Sequence, residues 1–282
     1  MYDTLISSRQ LAGHLDDPEW VICDCRFVLS SPEQGLAAYR EGHIPRAVYF
    51  HLDRDLSGAV TATTGRHPPP SAPDFVWTLE QAGIGDGIQV VAYDDAGGAI
   101  AARLWWLLRW LGHDEVAVLD GGWSGWVKEG RPVTTDVAAH EVRAFTARPN
   151  DALWLDSNGV LEIVNGRSSG VVLDARGPDR FRGENETIDP VAGHIPGAVS
   201  LPFAGNLDST GHFKPAETLR EQIHAALGGC SAAQAVCMCG SGVTACHNLL
   251  AMELAGLKGA RLYAGSWSEW IRDPSRPITT GG

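Results

Sequence analysis

Ala235-Val236-Cys237-Met238-Cys239-Gly240-Ser241-Gly242-Val243-Thr244-Ala245 reads as a strand, a loop and the start of a helix. The apolar run Ala235–Met238 suits a buried strand. Two glycines allow a tight loop, and an apolar helical pattern then runs over Val243–Ala255 until Gly256 stops it. A strand that is apolar on both faces belongs in a parallel sheet covered by helices on both sides. In open α/β sheets, ligands and reacting groups gather at the carboxyl ends of the strands, which is where Cys239 falls. Glycines let consecutive N–H groups turn toward one point, and the following helix adds its positive end. Such a setting favours a thiolate, and the same donors suit a second sulfur bound to it. The alternative is a buried cysteine that merely ends a strand before a shaping turn; the neighbouring hydroxyls of Ser241 and Thr244 favour the reactive thiol.

Outward from this stretch, the chain repeats itself. Val21-Ile22-Cys23-Asp24-Cys25-Arg26 is matched by Val171-Val172-Leu173-Asp174-Ala175-Arg176, and Gly42-His43-Ile44-Pro45 by Gly193-His194-Ile195-Pro196. Gly121-Gly122-Trp123-Ser124-Gly125-Trp126 is matched by Gly265-Ser266-Trp267-Ser268-Glu269-Trp270, and Arg131-Pro132 by Arg276-Pro277. Matches in constant order at this long period mean a duplicated domain, not a solenoid. The expected organisation is an N-terminal domain over 1–138, a linker over 139–152 and a C-terminal domain over 153–282. Strand candidates are Trp20–Cys23, Ala47–Tyr49, Gln89–Tyr93 and Glu115–Leu119 in the first copy. Val171–Asp174, Ala198–Leu201, Ala235–Met238 and Arg261–Tyr263 answer them in the second, and Ile100–Leu111 is a further helix candidate. The fold class expected is α/β, with two tandem domains that each carry a mostly parallel sheet with helices on both faces.

Bulk composition agrees. A chain of 282 residues with 44% apolar residues, 20% charged residues and ten tryptophans can bury two cores of ordinary size. A net charge of −12 argues against nucleic acid or an anionic membrane as partner, though a local arginine can still attract a small anion. No charged-then-apolar leader follows Met1, and the helix candidate Ile100–Leu111 is short and interrupted by Arg103 and Arg109. The expectation is a soluble, unexported, cytoplasmic protein. Six cysteines in a chain of this length read as free thiols of a reducing compartment, not as a disulfide scaffold.

Cys239-Gly240-Ser241-Gly242-Val243-Thr244 resembles the active-site loop of the 3-mercaptopyruvate sulfurtransferases within the rhodanese superfamily. The repeated Gly-His-Ile-Pro and Gly-Trp segments resemble the superfamily's flanking signatures. The resemblance covers the whole chain. It implies tandem rhodanese-like domains with a catalytic C-terminal copy, and the first copy indeed reads Val91-Ala92-Tyr93-Asp94, with Asp94 where Cys239 stands. A carboxylate cannot carry sulfane sulfur; Asp94 and Asp95 suit capping of the next helix. The implied activity moves sulfur from a small anionic donor to a thiol, thioredoxin-like or cyanide acceptor through a persulfide on Cys239. No cofactor is expected.

The resemblance also implies roles for other residues. Ser241 corresponds to a loop serine that relays a proton, with satisfaction of the loop backbone as its bland alternative. Asp53 and His67 resemble an Asp/His pair that the family brings to that serine. Arg180 resembles the first of two arginines that grip the substrate carboxylate, which an arginine fork suits in shape and charge. The second is missing, since the chain reads Glu184-Asn185-Glu186-Thr187-Ile188-Asp189-Pro190 there. Arg182 is then either a substitute or a surface arginine. Gly240, Gly242, Val243 and Thr244 complete the expected binding loop.

Thiosulfate enzymes of the superfamily carry Cys-Arg-Lys-Gly-Val-Thr in this loop. Here those two cations are replaced by Gly240 and Ser241. His43, His194, Arg26, Arg176 and the paired tryptophans occur in both copies and read as structural. Cys237, Cys239, Cys246 and His247 lack metal-ligand spacing, so no metal is expected. A phosphatase with a Cys-x5-Arg loop is excluded by Ala245. The remaining alternatives are a thiosulfate:cyanide enzyme, or a thiol redox module in which Cys239 pairs with Cys237, for which alternate positions on a strand are a poor disulfide geometry.

Overall fold

A computed structural model describes all 282 residues. The chain forms two compact units. The first comprises Met1–Gly58, Pro69–Asn150 and Ser209–Phe213, and the second comprises Ala59–Pro68, Asp151–Asp208 and Lys214–Gly282. Residues 59–68 thus lie inside the first repeat in sequence and belong to the second unit in space.

The first unit holds strands β1 (Leu5–Ile6), β2 (Trp20–Asp24), β3 (Val48–Tyr49), β4 (Gln89–Tyr93) and β5 (Val116–Leu119) in the order β1-β5-β4-β2-β3. Its helices are α1 (Ser8–Ala12), α2 (Gln34–Glu41), α3 (Ala72–Gln81), α4 (Ala101–Trp110) and α5 (Gly122–Lys128). The second unit holds β6 (Trp154–Leu155), β7 (Val171–Asp174), β8 (Val199–Ser200), β9 (Ala235–Met238) and β10 (Arg261–Tyr263), in the same permutation, β6-β10-β9-β7-β8. Helices α6 (Ser157–Val164), α7 (Pro178–Arg182), α8 (Ala216–Leu227), α9 (Thr244–Leu254) and α10 (Ser266–Trp270) connect them. Every strand pairing is parallel. The central strands β4 and β9 are buried along their whole length, as their unbroken apolar runs require.

The paired motifs hold each unit together in the same way. Arg26 grips both carboxylate oxygens of Asp24 through Nε (3.0 and 2.9 Å), donates to the Gly42 carbonyl (2.7 Å) and lies over Trp123 at 4.4 Å. Arg176 repeats this with Asp174 (3.1 and 3.0 Å), the Gly193 carbonyl (2.8 Å) and Trp267 at 4.7 Å. His43 Nδ1 lies 2.7 Å from the Tyr39 carbonyl with the two rings stacked, and His194 does the same with Phe181. Trp126 and Trp270 are fully buried and donate to the Pro132 and Pro277 carbonyls. The paired residues outside the loops after β4 and β9 are therefore structural. No helix is long and apolar enough to cross a membrane.

Candidate active site

Strand β9 ends at Met238 and delivers Cys239 to the carboxyl edge of the second sheet, with α9 beginning at Thr244. The Cys239 sulfur is almost fully buried and accepts the Gly242 N–H at 3.1 Å. The Gly242 N–H thus sets a backbone donor on the sulfur, and Val243 leads from it into α9. Gly242 has φ +79°, and a Cβ there would collide with the Ala264 carbonyl oxygen, so both conformation and space demand glycine.

The repeated Gly-Ser-Trp segment clamps this loop. The Ser266 hydroxyl accepts the Cys239 N–H (3.1 Å) and donates to the Tyr263 carbonyl (2.8 Å). The Trp267 and Ser268 N–H groups donate to the Cys239 and Gly240 carbonyls (3.0 and 2.9 Å). The sequence offered one cue to this, the repeat itself, which the packing explanation for the tryptophans hid.

Residues 59–68 bring two further side chains. His67 and Ser241 are both buried, with Nδ1 and Oγ 2.7 Å apart. The Arg66 N–H donates to the Ser268 hydroxyl (3.0 Å), and its guanidinium pairs with Asp189. Arg180 binds Glu186 through Nε (3.1 and 3.0 Å) and Asp189 through Nη2 (3.0 Å). A Cβ placed on Gly240 would stand 2.9 Å from Arg66 Nη2 and 3.6 Å from Arg180 Nη1, so both guanidinium groups border the space above the loop. Beside them lies a cavity of about 440 Å³ bounded by Arg66, Ile188, Asp189 and Ser268 among others.

Arg182 and Asp53 each have a hydrogen-bonding partner. Arg182 is partly exposed and pairs with Glu184 at 2.7 Å. Asp53 belongs to the first unit, where its N–H donates to His51 Nδ1 at 3.1 Å. Arg66 was not anticipated from the sequence.

The remaining cysteines are in other states. Burial pushes the thiols of Cys23, Cys25 and Cys237 well up, which holds them protonated. Cys246 donates its S–H to the Gly242 carbonyl at 3.3 Å. In the first unit the loop after β4 closes on Asp94, whose carboxylate accepts the N–H groups of Ala96, Gly98, Ile100 and Ala101 at 2.7–2.8 Å. The expected capping by Asp94 thus spans the loop and the first turn of α4.

The geometry defines a buried, loop-cradled sulfur beside an arginine pair on a duplicated parallel α/β fold. The model of the rhodanese-like domain matches residues 7–129 and 160–273. A probable 3-mercaptopyruvate sulfurtransferase of Pseudomonas aeruginosa is 47% identical over 98% of each chain. The thiosulfate sulfurtransferase of Rattus norvegicus is 34% identical over 96% of this chain and 93% of its own. The structure of the 3-mercaptopyruvate sulfurtransferase from Leishmania major superposes with a TM-score of 0.83 at 30% identity, covering 96% of this chain and 76% of that one. The chain belongs to the rhodanese family. Within it, it is a sulfurtransferase of tandem rhodanese domains.

Proposed function

We propose that the enzyme takes sulfur from 3-mercaptopyruvate onto Cys239 and passes it to a thiol acceptor, a thioredoxin-like dithiol or cyanide. The observation that carries this reading is the Cys239 sulfur held by the Gly242 N–H below two arginines that border Gly240. The Cys239 thiolate attacks the donor sulfur. The new S–S bond forms as the C–S bond breaks, and its electron pair leaves on carbon as the enolate of pyruvate. A proton then converts that enolate to pyruvate. Ser241 and His67, in hydrogen-bond reach of each other, are suited to deliver it; the family resemblance adds Asp53 to this relay. In the second half-reaction an acceptor thiolate attacks the outer sulfur and releases the Cys239 thiolate.

The donor carboxylate lies several bonds from the sulfur under attack, which suits a grip by Arg180 and Arg66 while the loop itself carries no cation. Thiosulfate places two charges close to the reacting sulfur, opposite the neutral Gly240 and Ser241. Six free cysteines fit a reducing compartment such as the cytoplasm. The test is kcat/KM for 3-mercaptopyruvate and thiosulfate on one preparation. The expected result is a preference for mercaptopyruvate; a higher value with thiosulfate would overturn the donor assignment.

A further inference from the structure

We propose that Asp189 determines donor specificity by holding the anion site near electrical neutrality; this rests on the sulfur-transfer reading above. Arg66, Arg180, Glu186 and Asp189 meet beside Gly240, and Glu186 extends the network to the buried pair of Arg176 (3.6 Å) and Asp174. Asp189 bridges the two arginines, one carboxylate oxygen to Arg66 and the other to Arg180. Its side chain and that of Glu186 are each 2% exposed, against 25% for Arg66 and 18% for Arg180. The carboxylates therefore stand behind the guanidinium groups and the cations face outward. Three positive and three negative charges in this network sum to zero, although guanidinium N–H donors still face the loop.

Such an arrangement keeps hydrogen-bond geometry while removing long-range attraction. Arg180 spends Nε and Nη2 on the carboxylates, and Arg66 spends Nη1. Arg66 Nη2 is the atom nearest a Cβ at Gly240 (2.9 Å), followed by Arg180 Nη2 (3.5 Å) and Nη1 (3.6 Å). They fit a carboxylate, which needs a fork and a single countercharge. A dianion gains twice from any surplus positive charge and is the ligand most penalised by its cancellation. Arg66 also fills the space that a side chain at position 240 would need, so the loop cannot add a cation there without displacing it.

Asp189→Asn keeps the shape and removes one negative charge. A unit charge a few ångströms from a partly screened site is worth roughly tenfold for each additional charge on the ligand. In Asp189→Asn the ratio of kcat/KM for thiosulfate to that for 3-mercaptopyruvate should therefore rise about tenfold, and the gain should shrink in high salt. Asp189→Glu should keep the wild-type ratio. A merely structural role would lower both donors together in Asp189→Asn, and that outcome, or an unchanged ratio, overturns the proposal. A second arm uses unreactive anions. Calorimetric affinity for sulfate should rise about tenfold more than that for pyruvate in Asp189→Asn. Equal changes for the two anions overturn the proposal. If the wild-type enzyme turned over neither donor, the sulfur-transfer reading would fail, while the sulfate and pyruvate arm would still decide the role of Asp189.

Discussion

The loops after β4 and β9 stand at the same place in two sheets of identical strand order, and each turns backbone N–H onto the side chain that follows its strand, four groups in the first and one in the second. In the first unit the centre of that cradle is the Asp94 carboxylate, which takes four N–H groups. In the second it is the Cys239 sulfur, with the Gly242 N–H on it. Even the clamp is shared, since the Trp123 N–H donates to the Asp94 carbonyl as Trp267 does to Cys239. A carboxylate built into the chain satisfies its donors permanently and has no bond to exchange. A sulfur in that position takes up fewer donors, and the site borders guanidinium groups. The duplicated fold thus closes the same loop on a carboxylate in one unit and on a sulfur in the other, and on the proposed function only the second takes part in chemistry.

The comparison can be broken most directly at Asp94. Asp94→Ala strips the acceptor from four N–H groups at a fully buried position. Hydrogen bonds to charged groups contribute about 1.5–3 kcal/mol each and are not additive, so a loss of about 3–5 kcal/mol is expected. Urea denaturation measures it. On the proposed function the first loop takes no part in the chemistry, so kcat per folded molecule should stay within about twofold of wild type. A stable but inactive Asp94→Ala would reverse the assignment of the two loops.

Arg180→Ala sharpens the other half of the comparison. Loss of a charged hydrogen-bonding partner costs about 1.5–3 kcal/mol, or roughly tenfold to a hundredfold in kcat/KM for 3-mercaptopyruvate. Steady-state kinetics should place most of the loss in KM, whereas a loss confined to kcat would make Arg180 part of the proton path.

The smallest effect concerns Glu186. Burial opposes its ionisation, but the backbone N–H groups of Asp189 and Ile188 and the Arg180 guanidinium outweigh this and hold its carboxyl below the usual 4.5. A folded-state value below the unfolded one contributes stability above the ordinary value, and this is lost as pH falls through the folded value. Glu186→Gln should therefore flatten the acid limb of stability against pH below about 4.5. An acid limb as steep as wild type would assign that loss to other carboxylates.

Much of this was readable from residues alone. Gln89–Tyr93, Val171–Asp174, Ala235–Met238 and Arg261–Tyr263 are strands with the bounds their β-branched, apolar runs suggest. Cys239 announced itself because strand, glycine loop and helix are contiguous. Strands β1 and β6 went unseen because two residues carry no periodicity, and the equally short β3 and β8 were found only because they follow the repeated Gly-His-Ile-Pro segments. Arg66 went unseen for a different reason. Its neighbours Asp189 and Ser268 are 123 and 202 residues away in sequence, and no local pattern encodes such pairings. The segment after Arg180 looked only like an absence, a lost second arginine. In the fold its Glu186 and Asp189 hold Arg180, and Asp189 ties it to Arg66.

On the proposed function, Cys239 alone carries the sulfur in transit. The enzyme should be exposed to 3-mercaptopyruvate without acceptor, digested under non-reducing conditions and mapped by fragmentation mass spectrometry. One added sulfur atom is expected on Cys239, removed by an acceptor thiol and absent from Cys239→Ser, whose turnover falls to background. An added sulfur on Cys237 or Cys246 in its place, or full turnover by Cys239→Ser, would contradict it.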